Sequence, residues 1–165
     1  MILGITGHQS LESFDLDWIK LTIGNFIAEN NVINGVSSLA IGADQLFCRE
    51  LIKKKISYDV IIPCNNYIST FKTLEDSRSF IDLINMSKST YTLDFDKPSE
   101  SAFYAAGIEI VNKTTAMLAI WDGNPAKGLG GTGDIVEFAL KQNKHVFHIN
   151  PINKKSNYLK QSYGN

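Results

Sequence analysis

The sequence is poor in cysteine, with two in 165 residues, and has neither a long apolar run nor an excess of charge of either sign. Each scarcity removes a class of protein. Cys48 lies in a stretch of helical period and Cys64 follows a strand-like run. No Cys-x-x-Cys and no Cys/His ligand spacing occurs, so neither a disulfide framework nor a structural zinc site is indicated, and both thiols are expected to be buried and idle. The longest apolar runs, such as Val60-Ile61-Ile62-Pro63 and Met117-Leu118-Ala119-Ile120-Trp121, fall far short of a bilayer span. The amino terminus, Met1-Ile2-Leu3-Gly4-Ile5, has no basic n-region and passes straight into a strand-like pattern. A cytoplasmic chain with no membrane partner is expected. With 16 Lys plus Arg against 17 Asp plus Glu, the formal charge is −1. No long-range field gathers polyanions, so nucleic acid is not expected as a partner.

What is present is enough apolar material for one core. Apolar residues make up 44% of the chain, with nine Phe, six Tyr and two Trp. A chain of this size removes roughly 70% of its unfolded surface from water and needs no covalent staple. Short β-rich runs alternate with segments of helical period, the pattern of a mainly parallel sheet flanked by helices in a three-layer, Rossmann-like α/β fold. Strands are predicted at Ile2 to Thr6, Ser37 to Ile41, Tyr58 to Pro63, Ala116 to Trp121 and His145 to Ile149. Helices are predicted around Leu16, Ile19, Ile23, Phe26 and Ile27, then from Gly42-Ala43-Asp44, from about Ser69 to Met86, from a Ser99 cap to Lys113, and from Thr132 to Gln142. Thr90 to Phe95 reads as a short strand or an extended loop. Residues 1–150 are expected to form a single domain and 151–165 a tail.

In open parallel sheets, ligands bind outside the carboxyl ends of the strands, where loop amides and helix amino termini converge. Glycines stand at three such positions here: Gly7, Gly42 and the run Gly128-Leu129-Gly130-Gly131-Thr132-Gly133. That run matches G-x-G-x-x-G literally, but it comes near the end of the chain, and no Asp or Glu follows Glu137. A dinucleotide-binding turn needs both the first strand-to-helix position and an acidic residue about 20 positions on, so a dehydrogenase is excluded. A phosphate-binding P-loop fails too, because Asn112 precedes Lys113-Thr114 where glycine is required. What remains is a loop of small residues followed by a helix amino terminus, suited to a phosphate or ribose phosphate. Asp134 and Glu137 lie a turn apart on that helix and serve either the helix dipole or hydroxyl recognition and acid/base work.

Gly130-Gly131-Thr132-Gly133-Asp134-Ile135-Val136-Glu137 resembles the G-G-x-G-T-x-x-E signature of the Lonely Guy nucleotide phosphoribohydrolases. The wider SLOG superfamily, which joins that family with the DNA-processing protein A (Smf) group, is resembled over about residues 2 to 150. Ile5-Thr6-Gly7-His8, Ala40-Ile41-Gly42-Ala43-Asp44, Ile61-Ile62-Pro63-Cys64, Tyr104-Ala105-Ala106-Gly107 and Ala119-Ile120-Trp121-Asp122-Gly123 occur in the expected order. The resemblance implies a glycine loop that holds a 5′-phosphate and, at Glu137, a carboxylate assisting N-glycosidic cleavage, where positive charge grows on the sugar. The chain departs from the family at two places. Asp134 stands where the family has threonine, and the segment around Ala106 contains no arginine; Arg49 and Arg78 are the only arginines in the chain.

The expectation is therefore a bacterial nucleotide-type small-molecule binder, a sensor or standalone module, with an N-glycosidase or deoxyribosyltransferase-like enzyme using Glu137 as the alternative. Gly7, His8, Gly42, Ala43, Asp44, Tyr104, Gly130, Gly131, Thr132, Gly133 and Asp134 are the expected ligand contacts. His8 is placed either to hydrogen-bond a ligand phosphate or to cap its turn, and Asp44 to cap its helix or touch a ribose. Tyr104 either stacks on a base or packs against Trp121, and Trp121 is expected in core or rim packing. Lys127 is a candidate phosphate contact. His145 and His148 fall on opposite faces of a strand and make no metal pair. No cofactor and no metal is called for. The resemblance further implies a homo-oligomer and, for a sensor, a separate effector protein.

Overall fold

The order in which the β-rich runs pair decides where a site can form. The computed structural model describes residues 1–125 and 128–160. Strand β1 (Ile2–Gly7) leads to helix α1 (Leu16–Glu29), β2 (Asn34–Ser37), α2 (Ala43–Lys53) and β3 (Tyr58–Ile62). A single 3-10 turn (Tyr67–Thr70) precedes α3 (Leu74–Asn85), β4 (Ser89–Thr92) and α4 (Glu100–Lys113). The chain then returns through β5 (Ala116–Ile120), α5 (Thr132–Lys141), β6 (His145–Asn150) and β7 (Lys155–Leu159). The strands form one sheet of order β4-β3-β2-β1-β5-β6-β7. All pairs are parallel except β6 with β7. The three-layer, Rossmann-like α/β fold expected from the alternation is the fold observed.

The two-residue alternation of each strand supplies both layers. Leu3, Ile5, Leu118 and Ile120 pack with Ile19, Ile23, Phe26, Phe47, Leu51, Phe80 and Leu83 of α1, α2 and α3. Val36, Met117, Ala119 and Val146 pack with Ala106, Ile110, Ile135, Val136 and Ala139 of α4 and α5. Side-chain caps start three of the helices: Asp15 accepts from the Trp18 N–H at 3.0 Å, Thr73 from Asp76 at 3.0 Å and Ser99 from Ala102 at 3.1 Å. Each such cap is worth about 1 kcal/mol. Cys48 and Cys64 are free and buried, and burial pushes both thiols up.

Three local expectations are corrected. The second strand lies at Asn34–Ser37, earlier than the apolar run Ser37 to Ile41, because the backbone breaks at Leu39, whose φ is +57°. Ser38 and Leu39 are nonetheless buried, and Ala40 is half-buried. The helix predicted from Ser69 begins only at Leu74, since the Thr73 cap sets its start and a 3-10 turn takes the preceding residues. Of the stretch Thr90 to Phe95, the first three residues belong to β4, an exposed edge strand, and the rest is loop. The expected tail contributes β7, whose Tyr158 ring packs 5.2 Å from that of Phe147. Among the described residues, no helix is long and apolar enough to cross a membrane.

Candidate functional site

β1 and β5 are neighbours in the sheet although the chain builds outward from β1 through β4 before returning to β5. The connections leaving their carboxyl ends diverge, and a crevice opens there. It is a cleft of about 820 Å³, within the size range of small-molecule sites.

The first wall is the end of β1. A Cβ on Gly7 would lie 2.5 Å from Ala43 Cβ and 2.8 Å from the Ile120 carbonyl oxygen, so only glycine lets the two central strands and α2 converge. His8 follows, pinned on both sides: its N–H donates to the Ile120 carbonyl at 3.0 Å and its carbonyl accepts from Ala43 at 3.0 Å. Its Nε2 accepts the Asp122 N–H at 3.0 Å, which places the proton of a neutral ring on Nδ1. The imidazole thus ties the β1 loop to the β5 loop.

The second wall is the turn after β2. Asp44 Oδ2 accepts from Ser37 Oγ and from the Ser38 N–H, both at 3.0 Å. Burial pushes this carboxyl up to about 6, and the hydrogen bonds from Ser37 and Ser38 only partly offset that. The expected helix cap is therefore corrected. Gly42 is the N-cap residue of α2, at φ +85° with no side-chain bond, and Asp44 instead staples the turn that floors the cleft.

The third wall is the long connection after β5. Asp122 accepts from the Asn124 N–H and from Asn124 Nδ2, each at 2.9 Å, and those bonds together with nearby His8 hold its carboxyl below the usual range. Trp121 lines the cleft, its Nε1 donating to the Asn124 carbonyl at 2.8 Å, which fixes the ring at the rim. Gly130 to Gly133 then close the cleft at the start of α5. Gly130 has φ +83°, and a Cβ there would lie 2.9 Å from the Tyr104 backbone nitrogen; the loop is pressed onto α4 and could not carry a side chain at this point. An aromatic wall completes the enclosure. Tyr67 and Phe71 lie 5.4 Å apart, Phe103 stands 6.3 Å from Tyr67, and all three line the cleft.

The structure thus brings Gly7, His8, Asp44, Gly130, Gly131, Thr132 and Gly133 to one cleft. Gly42, Ala43 and Tyr104 stand behind its walls as braces. Asp134 faces its own loop, accepting the Gly130 N–H at 2.9 Å. Glu137 is not brought in: it is exposed and ion-paired with Lys141 at 2.5 Å on the outer face of α5. Lys127 lies outside the described residues. Sequence reasoning missed Gln9, Asp122, Asn124, Tyr67, Phe71 and Phe103. Asp122 had a signal, since it directly follows a central parallel strand; the aromatics come from segments that no motif marks. Among the described residues no group of three or more His, Cys, Asp or Glu side chains converges as a metal site. Chemically, the cleft offers flat apolar walls for a planar ring, with hydroxyls, amides and two carboxylates for a ligand's polar edge.

No family model matches the sequence, and no curated protein matches it either. Solved structures do. DNA processing protein A from Streptococcus pneumoniae superposes with a TM-score of 0.64 at 16% identity, over 88% of this chain and 49% of that one. DNA processing protein A from Helicobacter pylori, a structure described for its single-stranded DNA binding mode, gives 0.61 at 16% identity, over 90% and 64%. A molybdenum cofactor binding protein from Rippkaea orientalis gives 0.57 at 18% identity, over 89% and 74%. This chain spans about half of the first protein and less than two thirds of the second. The likeness overturns the expectation that nucleic acid is not a partner, because the same fold serves single-stranded DNA binding in the Helicobacter protein. The physical error lay in using net charge, which averages over the surface, whereas stacking of unpaired bases on aromatic rings needs no net charge. The superpositions settle the architecture: the chain has a Rossmann-like fold like that of DNA processing protein A.

Proposed function

We propose that this chain binds a nucleotide or nucleotide-derived small molecule in the cleft at the carboxyl edge of its sheet. One observation carries the reading: the ends of β1 and β5, the turn after β2, the glycine loop and an aromatic wall converge on a single cleft at the switch point of the sheet. The planar walls suit a base, and the hydroxyl, amide and carboxylate groups at the rim suit a sugar. The purified protein is titrated with nucleosides, nucleotides, cyclic nucleotides and ADP-ribose, following thermal unfolding and heat of binding. A ligand at about 100 times its Kd stabilises the fold by about 2.7 kcal/mol, so a rise of several degrees in Tm is expected for at least one compound. Glu137→Ala serves as a control that leaves binding unchanged, because its side chain lies outside the cleft. Silence across the panel overturns the reading.

The likeness to the Helicobacter protein favours a second reading, in which the ligand is single-stranded DNA and an unpaired base occupies the same aromatic wall. Anisotropy of a labelled oligothymidine separates the two. Saturable binding that competes with the nucleotide identifies one shared site, and no anisotropy change up to high protein concentration removes the DNA reading.

A further inference from the structure

The glycine loop resembles a phosphate cradle, yet three amides in and beside it are already committed. Gly130 N–H donates to Asp134 Oδ2 at 2.9 Å, Gly131 N–H to the Gly128 carbonyl at 3.4 Å, and Asp134 N–H to the Gly131 carbonyl at 3.1 Å. The carboxylate of Asp134, on the first turn of α5, therefore puts a negative charge beside the helix end that would otherwise favour a bound anion. The loop cannot retreat to admit a second anion, because Gly130 is pressed against the Tyr104 backbone. Glu100 adds a further carboxylate, its Oε1 2.7 Å from where a Cβ of Gly128 would stand. Asp134 and Glu100 stand behind the loop; among the described residues that line the cleft Asp44 and Asp122 are the charged groups, with no Lys or Arg. His8 turns its Nε2 to the Asp122 backbone N–H.

We propose that Asp134 sets the charge class of the ligand: by holding a carboxylate on the Gly130 amide of the glycine loop, it directs the cleft to the hydroxyl- and amine-bearing nucleoside part and away from a terminal phosphate. The proposal rests on the nucleotide-ligand reading and refines it. The position is the one where the loop departs from the Lonely Guy signature, with a carboxylate in place of a neutral hydroxyl. A carboxylate attracts donors such as ribose hydroxyls and exocyclic amines, and repels a phosphate held at the same amides. Asp134 acts through the loop amide and is a specificity-determining residue, not a catalytic one.

The test is calorimetric titration of adenosine, guanosine, cytidine and uridine, each beside its 5′-monophosphate, into the wild-type chain and into Asp134→Asn at low salt. Asparagine keeps an oxygen to accept the Gly130 N–H while removing the charge, and circular dichroism checks that the variant is folded. The wild type is expected to bind its best nucleoside about tenfold more tightly than the matching monophosphate, and Asp134→Asn to shrink that ratio about tenfold, mainly by tighter monophosphate binding. A wild type that binds the monophosphate as tightly as the nucleoside, or more tightly, overturns the proposal without needing the variant. An unchanged ratio in folded Asp134→Asn overturns it as well. Silence in both series overturns the nucleotide reading itself, and the proposal with it.

Discussion

Asp44 illustrates how a single carboxylate couples stability to the site. It is almost fully buried, accepts from Ser37 and Ser38, and titrates at about 6 where an unstrained aspartate titrates at 3.8, with desolvation the leading cause. The folded state therefore holds the proton more tightly than the unfolded state across that interval. Its contribution is full below about pH 4 and is lost as pH rises through about 6, an effect of about 3 kcal/mol. Urea unfolding of wild type and Asp44→Asn at several pH values between about 4 and 7 is expected to show the variant gaining by that order as pH rises. Parallel profiles for the two proteins would remove this account. The residue was visible in the sequence at the end of the second strand. Its task was not, because a cap and a turn staple differ only in which backbone N–H lies within reach.

At the scale of elements, helix packing explains glycines that turn chemistry does not. Gly107 lies within α4, where glycine costs about 1 kcal/mol relative to alanine in helix propensity. The reason it is there is α5: a Cβ at that position would stand 2.3 Å from Ile135 Cδ1 and 2.8 Å from its Cγ1. Gly107→Ala is expected to destabilise by about 1–2 kcal/mol despite the gain in propensity. Ile135→Val, which removes the Cδ1 carbon, costs about 1 kcal/mol alone. The double variant is expected to lose less than the sum by about 1 kcal/mol, a coupling read from urea midpoints. Additive losses would show that the two helices do not meet as described. Most elements were legible from period and caps, Ser99 being the plainest. The misplaced second strand and the overlong third helix share one cause: apolar burial continues past the end of regular backbone, and hydropathy reports burial alone. Leu39 is buried at φ +57°, a conformation that no apolar pattern announces.

Across the whole molecule, β7 closes one side of the sheet. It pairs from Val146↔Leu159 to Asn150↔Lys155 and lays the Tyr158 ring over Phe147 and Phe26. Ending the chain at Pro151 would bare the edge of β6, leaving the buried strand without its partner. Such a truncation is expected to unfold about 5–10 °C lower and to associate with rising concentration on size exclusion. An unchanged Tm would mean that β7 is only an appendage. Polar composition, with Lys154, Lys155 and Lys160 and few apolar side chains, hid this strand, since an edge strand with one solvated face needs little hydrophobicity.

The alternation of β-rich and helical segments determined the three-layer parallel fold from the sequence alone, because strand and helix periods are properties of the local chain. Glycines after strands likewise marked which edge carries the cleft. The tertiary structure alone decided that β1 and β5 become neighbours, that Tyr67, Phe71 and Phe103 gather into one wall, and that Glu137 turns away to Lys141. It also decided that the carboxylate of Asp134 sits on the amide of its own loop. These are long-range contacts or side-chain directions, set by how layers pack and by which donor is nearest, and neither is encoded in spacing along the chain.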